Sequence, residues 1–474
     1  MRREQLILAG RPRDGASVFQ VASPFDGRVV AEVAMASPED LGFALAQAAA
    51  AAKPLAATPL HVRAAILEKT ASLVAERREH FAQLLVEEAG KPVSLARVEA
   101  DRCVETLREC ARQARSWHGQ LLELGAFPSG QGRWGLLRRV PVGVVLGITP
   151  FNFPLNLVAH KLGPAVAAGC PILLKPASQT PSPALHLARA LLEAGLPPEA
   201  ISVLPCPGEQ AMRLVEAPEV RLVTFTGSAA VGWELKRRAW DKRVTLELGG
   251  NAAVVVEPDG GELAAVAHRI ALGAFAYAGQ SCISVQRVLV AKPIYERFRE
   301  ALVAAAQGFP TGDPAQGQVQ CGPMISAKDA DRLESWVASA VEAGARRLTP
   351  WRREGNLVWP QVLENVPHQH PLWAEEAFAP VAVLEPYESF EQAIALVNES
   401  RFGLQCGIFT ADVGKLQRAW QQCEVGAIIA GDIPSWRTDP MPYGGVKQSG
   451  FGREGPAWAL EEMTELRLLV LREA

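Results

Sequence analysis

What the chain lacks narrows it first. No apolar run reaches the roughly 18 residues a membrane-crossing helix needs, and Met1-Arg2-Arg3-Glu4-Gln5 leads into no signal-peptide pattern. The eight cysteines, at 103, 110, 170, 206, 282, 321, 406 and 423, show no CxxC spacing and no cluster. That speaks against a disulfide scaffold or a thiolate zinc site. The eight histidines are scattered too, and His368 and His370 sit in a Pro-flanked stretch that reads as a surface loop, so no metal is expected. Charge of one sign is also missing. A net charge of −3 gives no reason to expect nucleic acid or an anionic membrane as partner. No GxGxxG follows a strand, so the usual dinucleotide fingerprint is absent. The expectation is a soluble, cytoplasmic protein.

What is there fills two or three domains, the natural division of 474 residues. Residues 38 to 120 carry helical composition and apolar spacing, including the alanine-rich run Ala44 to Ala52. From about 140 the texture alternates. Strands are predicted at 142–148, 171–175, 201–204, 221–225 and 244–248, with helices at 155–168, 183–194, from 209 and from 229 between them. Short apolar strands separated by helices mean βαβ units and a parallel sheet covered on both faces. Such sheets bind ligands at the carboxyl ends of their strands, where Lys175, Gly227 and Glu247 fall. A second α/β region begins near 250, with helices at 264–277, 295–306 and 329–343 and strands at 284–290 and 381–384. The tail 465–471 reads as a strand that could join 131–139 in an accessory β element.

Several segments carry chemistry. Cys282, in Gly279-Gln280-Ser281-Cys282-Ile283-Ser284, is a thiol among small polar neighbours; alone it could equally be core. Glu247, in Leu246-Glu247-Leu248-Gly249-Gly250-Asn251, is a carboxylate at a strand end and a possible base. Phe225-Thr226-Gly227-Ser228 joins a strand to a helix and could hold a pyrophosphate on free N–H groups, or be a plain N-cap. Lys175-Pro176-Ala177-Ser178 offers a lysine and a hydroxyl to ribose or phosphate, or is surface. In Thr149-Pro150-Phe151-Asn152-Phe153-Pro154, two prolines fix a loop whose Asn152 is either an oxyanion donor or a helix cap.

Seven segments together resemble the aldehyde dehydrogenase superfamily: TPFNFP (149–154), LLKPASQTP (173–181), FTGS (225–228), LELGGN (246–251), GQSC (279–282), EEAFAP (375–380) and PYGGVKQSGFGREG (442–455). The resemblance runs from about residue 20 to the C-terminus. It implies that Cys282 attacks an aldehyde, that Asn152 and the Cys282 N–H hold the oxyanion, and that Glu247 activates water against the thioester. It implies a cofactor site for NAD or NADP from Thr149, Pro150, Phe151, Lys175, Ser178, Phe225, Gly227, Ser228, Val231, Leu248, Glu376 and Phe378. Serine at 178, where many NAD-preferring members carry glutamate, removes a charge that would repel a 2′-phosphate, which favours tolerance of NADP. Ala379 stands where a glycine is common.

The substrate reads as a small polar aldehyde, because Trp436 to Tyr443 is similar to the branch of lactaldehyde and semialdehyde dehydrogenases. Arg102, Phe153, Ser281 and Tyr443 are the candidate substrate contacts. The presence of Glu247 argues for release of a free acid; a coenzyme A-acylating enzyme and a catalytically idle binding protein are the alternatives. The family's architecture implies an α/β fold with two Rossmann-type parallel-sheet domains plus a small β oligomerisation element. The cofactor domain would take 1–118 and 140–248, the catalytic domain 249–447, and the oligomerisation element 119–139 and 448–474, in a homodimer or homotetramer.

Overall fold

A computed structural model describes residues 1–473. Among them no helix is long and apolar enough to cross a membrane. The architecture is α/β, built on two largely parallel sheets. In the first, eight strands run in the order Gly450–Phe451, Arg243–Glu247, Val220–Thr226, Val144–Ile148, Ile172–Lys175, Ile201–Val203, Leu6–Leu8, Arg11–Arg13. The five central strands are parallel, and antiparallel strands close both edges. Val144–Ile148 is buried at every position, as a strand covered by helices on both faces must be. Chain order reverses there. Ile172–Lys175 adds on one side and Val220–Thr226 on the other, which opens a crevice at the carboxyl ends.

The second sheet has seven strands: Arg346–Arg347, Gln361–Glu364, Val381–Tyr387, Val285–Ala291, Ala252–Val256, Gln405–Phe409 and Ala427–Ala430. All pair in parallel except Arg346–Arg347. The chain leaves the first sheet at Glu247, a carboxyl end, and enters the second at Ala252, an amino end. Cys282 and Phe378 also precede second-sheet strands. One cavity therefore sees carboxyl ends from one sheet and amino ends from the other.

The predicted elements between 140 and 248 all form, within two residues of their expected ends. Two departures bear on function. The helix expected to reach Tyr277 stops at Phe275. Tyr277 and Ala278 then turn left-handed, at φ 53° and 54°, a strained backbone that re-aims the chain toward Cys282. Local propensity loses here to tertiary contacts: the Tyr277 hydroxyl donates to Ala89 O at 3.3 Å, and Gln280 Nε2 donates to Tyr277 O and Pro323 O. The second departure lies in the C-terminal segment. Gly450–Phe451 belongs to the first sheet, and Leu460 and Met463 enter the core beneath it. Only Thr464–Arg472 runs out to pair along nine residues with Arg133–Pro141, which also holds Gln120–Glu123. A further small sheet of Arg2–Glu4, Val29–Met35 and Ser17–Ala22 had no sequence signal strong enough to predict.

Candidate active site

A cavity of about 510 Å³ lies between the sheets, and every residue expected at the site lines it. Arg102, Thr149, Pro150, Phe151, Asn152, Phe153, Lys175, Ser178, Phe225, Gly227, Ser228 and Val231 come from the first sheet's side. Glu247 and Leu248 stand at the crossing, and Ser281, Cys282, Glu376, Phe378 and Tyr443 come from the second sheet's side.

The crossing itself is glycine because nothing larger fits. A Cβ on Gly249 would lie 2.3 Å from Glu376 Oε2, and one on Gly250 would lie 2.1 Å from the Cys282 carbonyl oxygen. The Gly250 N–H donates to Glu376 Oε1 at 2.9 Å. This close approach draws Glu247, Cys282 and Glu376 around one point. Cys282 meets the cavity at intermediate exposure, and burial pushes its thiol up to about 12, although the hydrogen bond from Tyr443 works the other way. Asn152 is 4% exposed, and its Nδ2 donates to Gln280 O at 3.0 Å. That bond fixes the amide plane beside the cysteine loop and uses one of its two N–H groups.

Glu247 is 3% exposed, and neither of its carboxyl oxygens has a partner among the described residues. Burial, then the neighbouring Glu454, pushes its pKa well above the carboxylate range, against the pull of Arg437, Lys161 and Arg453. Glu454 moves the opposite way. Against burial, the charges of His160, Lys161 and Arg437 hold it at about 2. Its carboxylate accepts from Arg437 Nη2 at 3.0 Å and Lys161 Nζ at 3.4 Å. The two carboxyls are thus pushed apart, Glu247 toward its protonated form and Glu454 toward its ionised one.

Behind them Asp439 accepts from Arg102 Nε and Nη2 at 2.9 and 2.8 Å, Asn156 Nδ2 at 3.0 Å and His160 Nε2 at 2.8 Å. Burial would raise this carboxyl, but those donors hold it well below its ordinary range. Arg437 and Glu454 line the cavity yet were not among the expected site residues. The signal for them is weak and local: Arg437 stands in the run 436–443 and Glu454 in GREG, segments that carry the resemblance without marking either residue. Lys161 gave another, a lysine inside the wholly buried helix Asn156–Ala168. A lysine there needs a partner.

The other arm of the cavity suits a dinucleotide. Ser228 occupies the N-cap of the helix Ala229–Arg238 without making a side-chain cap bond, so its hydroxyl and the helix N–H groups remain available to phosphate. Among the described residues Lys175 Nζ bonds only the neighbouring Pro176 O, at 3.1 Å, and burial lowers its pKa. Ser178 is exposed at the rim. Phe378 holds a left-handed φ of 48° and meets Phe151 edge-on, with centroids 5.8 Å apart. Phe153 stands edge-on to Tyr277, with Lys91 Nζ 3.7 Å from its centroid.

Comparisons with known proteins agree on one family. The model of the aldehyde dehydrogenase family matches residues 11–469. Aspartate-semialdehyde dehydrogenase 1 of Pseudomonas canavaninivorans is 41% identical over 453 residues, 96% of each chain. Among solved structures, aldehyde dehydrogenase 21 from Physcomitrella patens, in complex with the reaction product succinate, superposes with a TM-score of 0.98 at 39% identity, covering 100% of this chain and 99% of that one. NADP-dependent glyceraldehyde-3-phosphate dehydrogenase from Bacillus halodurans C-125, complexed with NADP, gives 0.97 at 31% identity with full coverage of both chains.

Proposed function

The chain belongs to the aldehyde dehydrogenase family and is an NAD- or NADP-dependent oxidoreductase, and from that premise we propose that it converts a short aldehyde with an anionic tail to the carboxylic acid through a thioester on Cys282. The Cys282 sulfur attacks the carbonyl carbon and makes a tetrahedral thiohemiacetal. Its oxygen takes the second Asn152 N–H and the Cys282 backbone N–H, which stabilise the charge without protonating it. Lys175, Ser178, Gly227, Ser228, Glu376 and Phe378 would hold the cofactor, which when bound accepts the hydride that leaves the carbon. Glu247 then takes a proton from water as the water attacks the thioester, the C–S bond breaks, and acid and thiol are released. Water supplies the added oxygen. The neutral, exposed Ser178 supports use of NADP, since no carboxylate opposes a 2′-phosphate.

One observation carries the tail. Arg437 is 7% exposed in its side chain, lines the cavity, and has an Nε without a partner among the described residues. A buried guanidinium donor left unmatched is costly, and an anion satisfies it. Arg102 joins it from the facing helix. The relatives named above fit this reading, since aspartate semialdehyde, succinate and glyceraldehyde 3-phosphate all bear an acidic group. Replacing Arg437 by Met tests it. For a four-carbon ω-carboxylated aldehyde, kcat/KM should fall about 10- to 100-fold further than for butanal, the worth of a charge-assisted hydrogen bond. Equal losses on both substrates would reject the anionic tail.

Assembly extends the proposal. Thr464–Arg472 is an edge strand with Leu466, Leu468, Leu469 and Val470 exposed, which suits pairing with a second copy in a homo-oligomer.

A further inference from the structure

Tyr443 touches the nucleophile directly. Its hydroxyl lies 2.8 Å from Cys282 Sγ, and it has no other hydrogen-bond partner among the described residues. Thiol or phenol can be the donor at that distance, but once the sulfur is ionised only the phenol can donate. The side chain is held from three directions. Its backbone N–H donates to Glu454 O at 2.9 Å, and its carbonyl accepts from the Glu454 N–H at 2.6 Å. Arg437 Cζ lies 3.7 Å from the ring centroid while Nη2 of the same guanidinium binds Glu454. Ile283 and Leu404 pack the remaining side in a small apolar cluster with Tyr443 and Cys282. A tyrosine 3% exposed and clamped in this way has little freedom to turn its hydroxyl elsewhere.

We infer that Tyr443 is a positioning residue for the nucleophile: its hydroxyl donates to Cys282 Sγ, favours the thiolate over the thiol, and holds the sulfur in one rotamer, while Arg437 keeps the ring aimed. The inference rests on the assignment of Cys282 as nucleophile but on no choice of aldehyde. When the thiol ionises, its proton leaves to water in the cavity and the phenol keeps its own. The groups facing the sulfur are Tyr443, Glu376, Arg437 and Glu247, and only Tyr443 and Arg437 favour its ionised form. The phenol remains a donor throughout, because burial pushes it well above its ordinary range, reinforced by Cys282 and opposed by Arg437.

The test needs no substrate. Full-length protein is alkylated with iodoacetamide across pH, and labelling of the Cys282 peptide is followed by mass spectrometry, with Cys282→Ser as the blank. Tyr443→Phe removes one oxygen and nothing else. It should move the midpoint of Cys282 alkylation up by about one pH unit and slow labelling at neutral pH about tenfold, the effect of losing one hydrogen bond to a charged group. Arg437→Lys, which keeps charge but loses the stacked plane, should move the midpoint the same way by less. If both variants keep the wild-type midpoint, whatever their melting temperatures, Tyr443 is only packing and the inference is overturned. Labelling of another cysteine in place of Cys282 would instead overturn the nucleophile assignment.

Discussion

At the scale of single residues, Glu247, the proposed base, stands where a carboxylate is hard to ionise. Its oxygens are unpartnered, and the nearby cations are engaged by Glu454. The folded pKa lies well above the ordinary value, so the base form appears only as pH rises through that raised pKa. Thioester hydrolysis should therefore speed up as pH rises and level only above the ordinary carboxylate range. Glu454→Gln removes the like charge and frees the cations to favour the ionised Glu247. The rising limb should move to lower pH in that variant, read as steady-state turnover wherever hydrolysis limits the rate. An unmoved or upward-moved limb would show that the two carboxyls are not coupled as the geometry implies.

At the scale of elements, glycines separate two kinds of constraint. Gly250 sits in the crossing between the sheets, where a methyl group would strike the Cys282 carbonyl. Gly250→Ala should cost about 1–3 kcal/mol, as overpacking does, and should cut activity by shifting the cysteine loop. Gly42 lies exposed within the helix Pro38–Ala56 with open space around its Cβ position. Gly42→Ala should stabilise by about 0.5–1 kcal/mol with activity unchanged; thermal denaturation of both variants checks the pair. The same scale shows what was readable in the chain. Between 140 and 248 the strands were legible because each apolar run is bounded by prolines, glycines or charges. Ala252–Val256, Gln405–Phe409 and Ala427–Ala430 were not, since runs of four or five residues without polar-apolar alternation fit a buried strand and a buried helix alike. The left-handed Tyr277-Ala278 turn was hidden for another reason. Its alanine-rich surroundings favour helix, and only contacts with Ala89 and Pro323, distant in sequence, overrule them.

At the scale of the whole molecule, the cavity gathers all the residues expected at the site because two sheets present opposite ends to each other. Those residues were legible through local motifs. Arg437 and Glu454 stand inside segments that carry the resemblance, but what they do depends on partners such as Lys161 and His160, far away in the chain. The proposed chemistry turns on one junction between the sheets: the base at the end of Arg243–Glu247 serves the thiol just before Val285–Ala291. Rapid mixing of Glu247→Gln protein with cofactor and an aldehyde it oxidises, followed by intact-mass analysis, tests that claim most directly. The account predicts a burst of one reduced cofactor per chain, an acyl adduct on Cys282, and steady turnover lowered about 10²- to 10⁴-fold, the usual worth of a general base. Wild-type turnover without an accumulated adduct would contradict it.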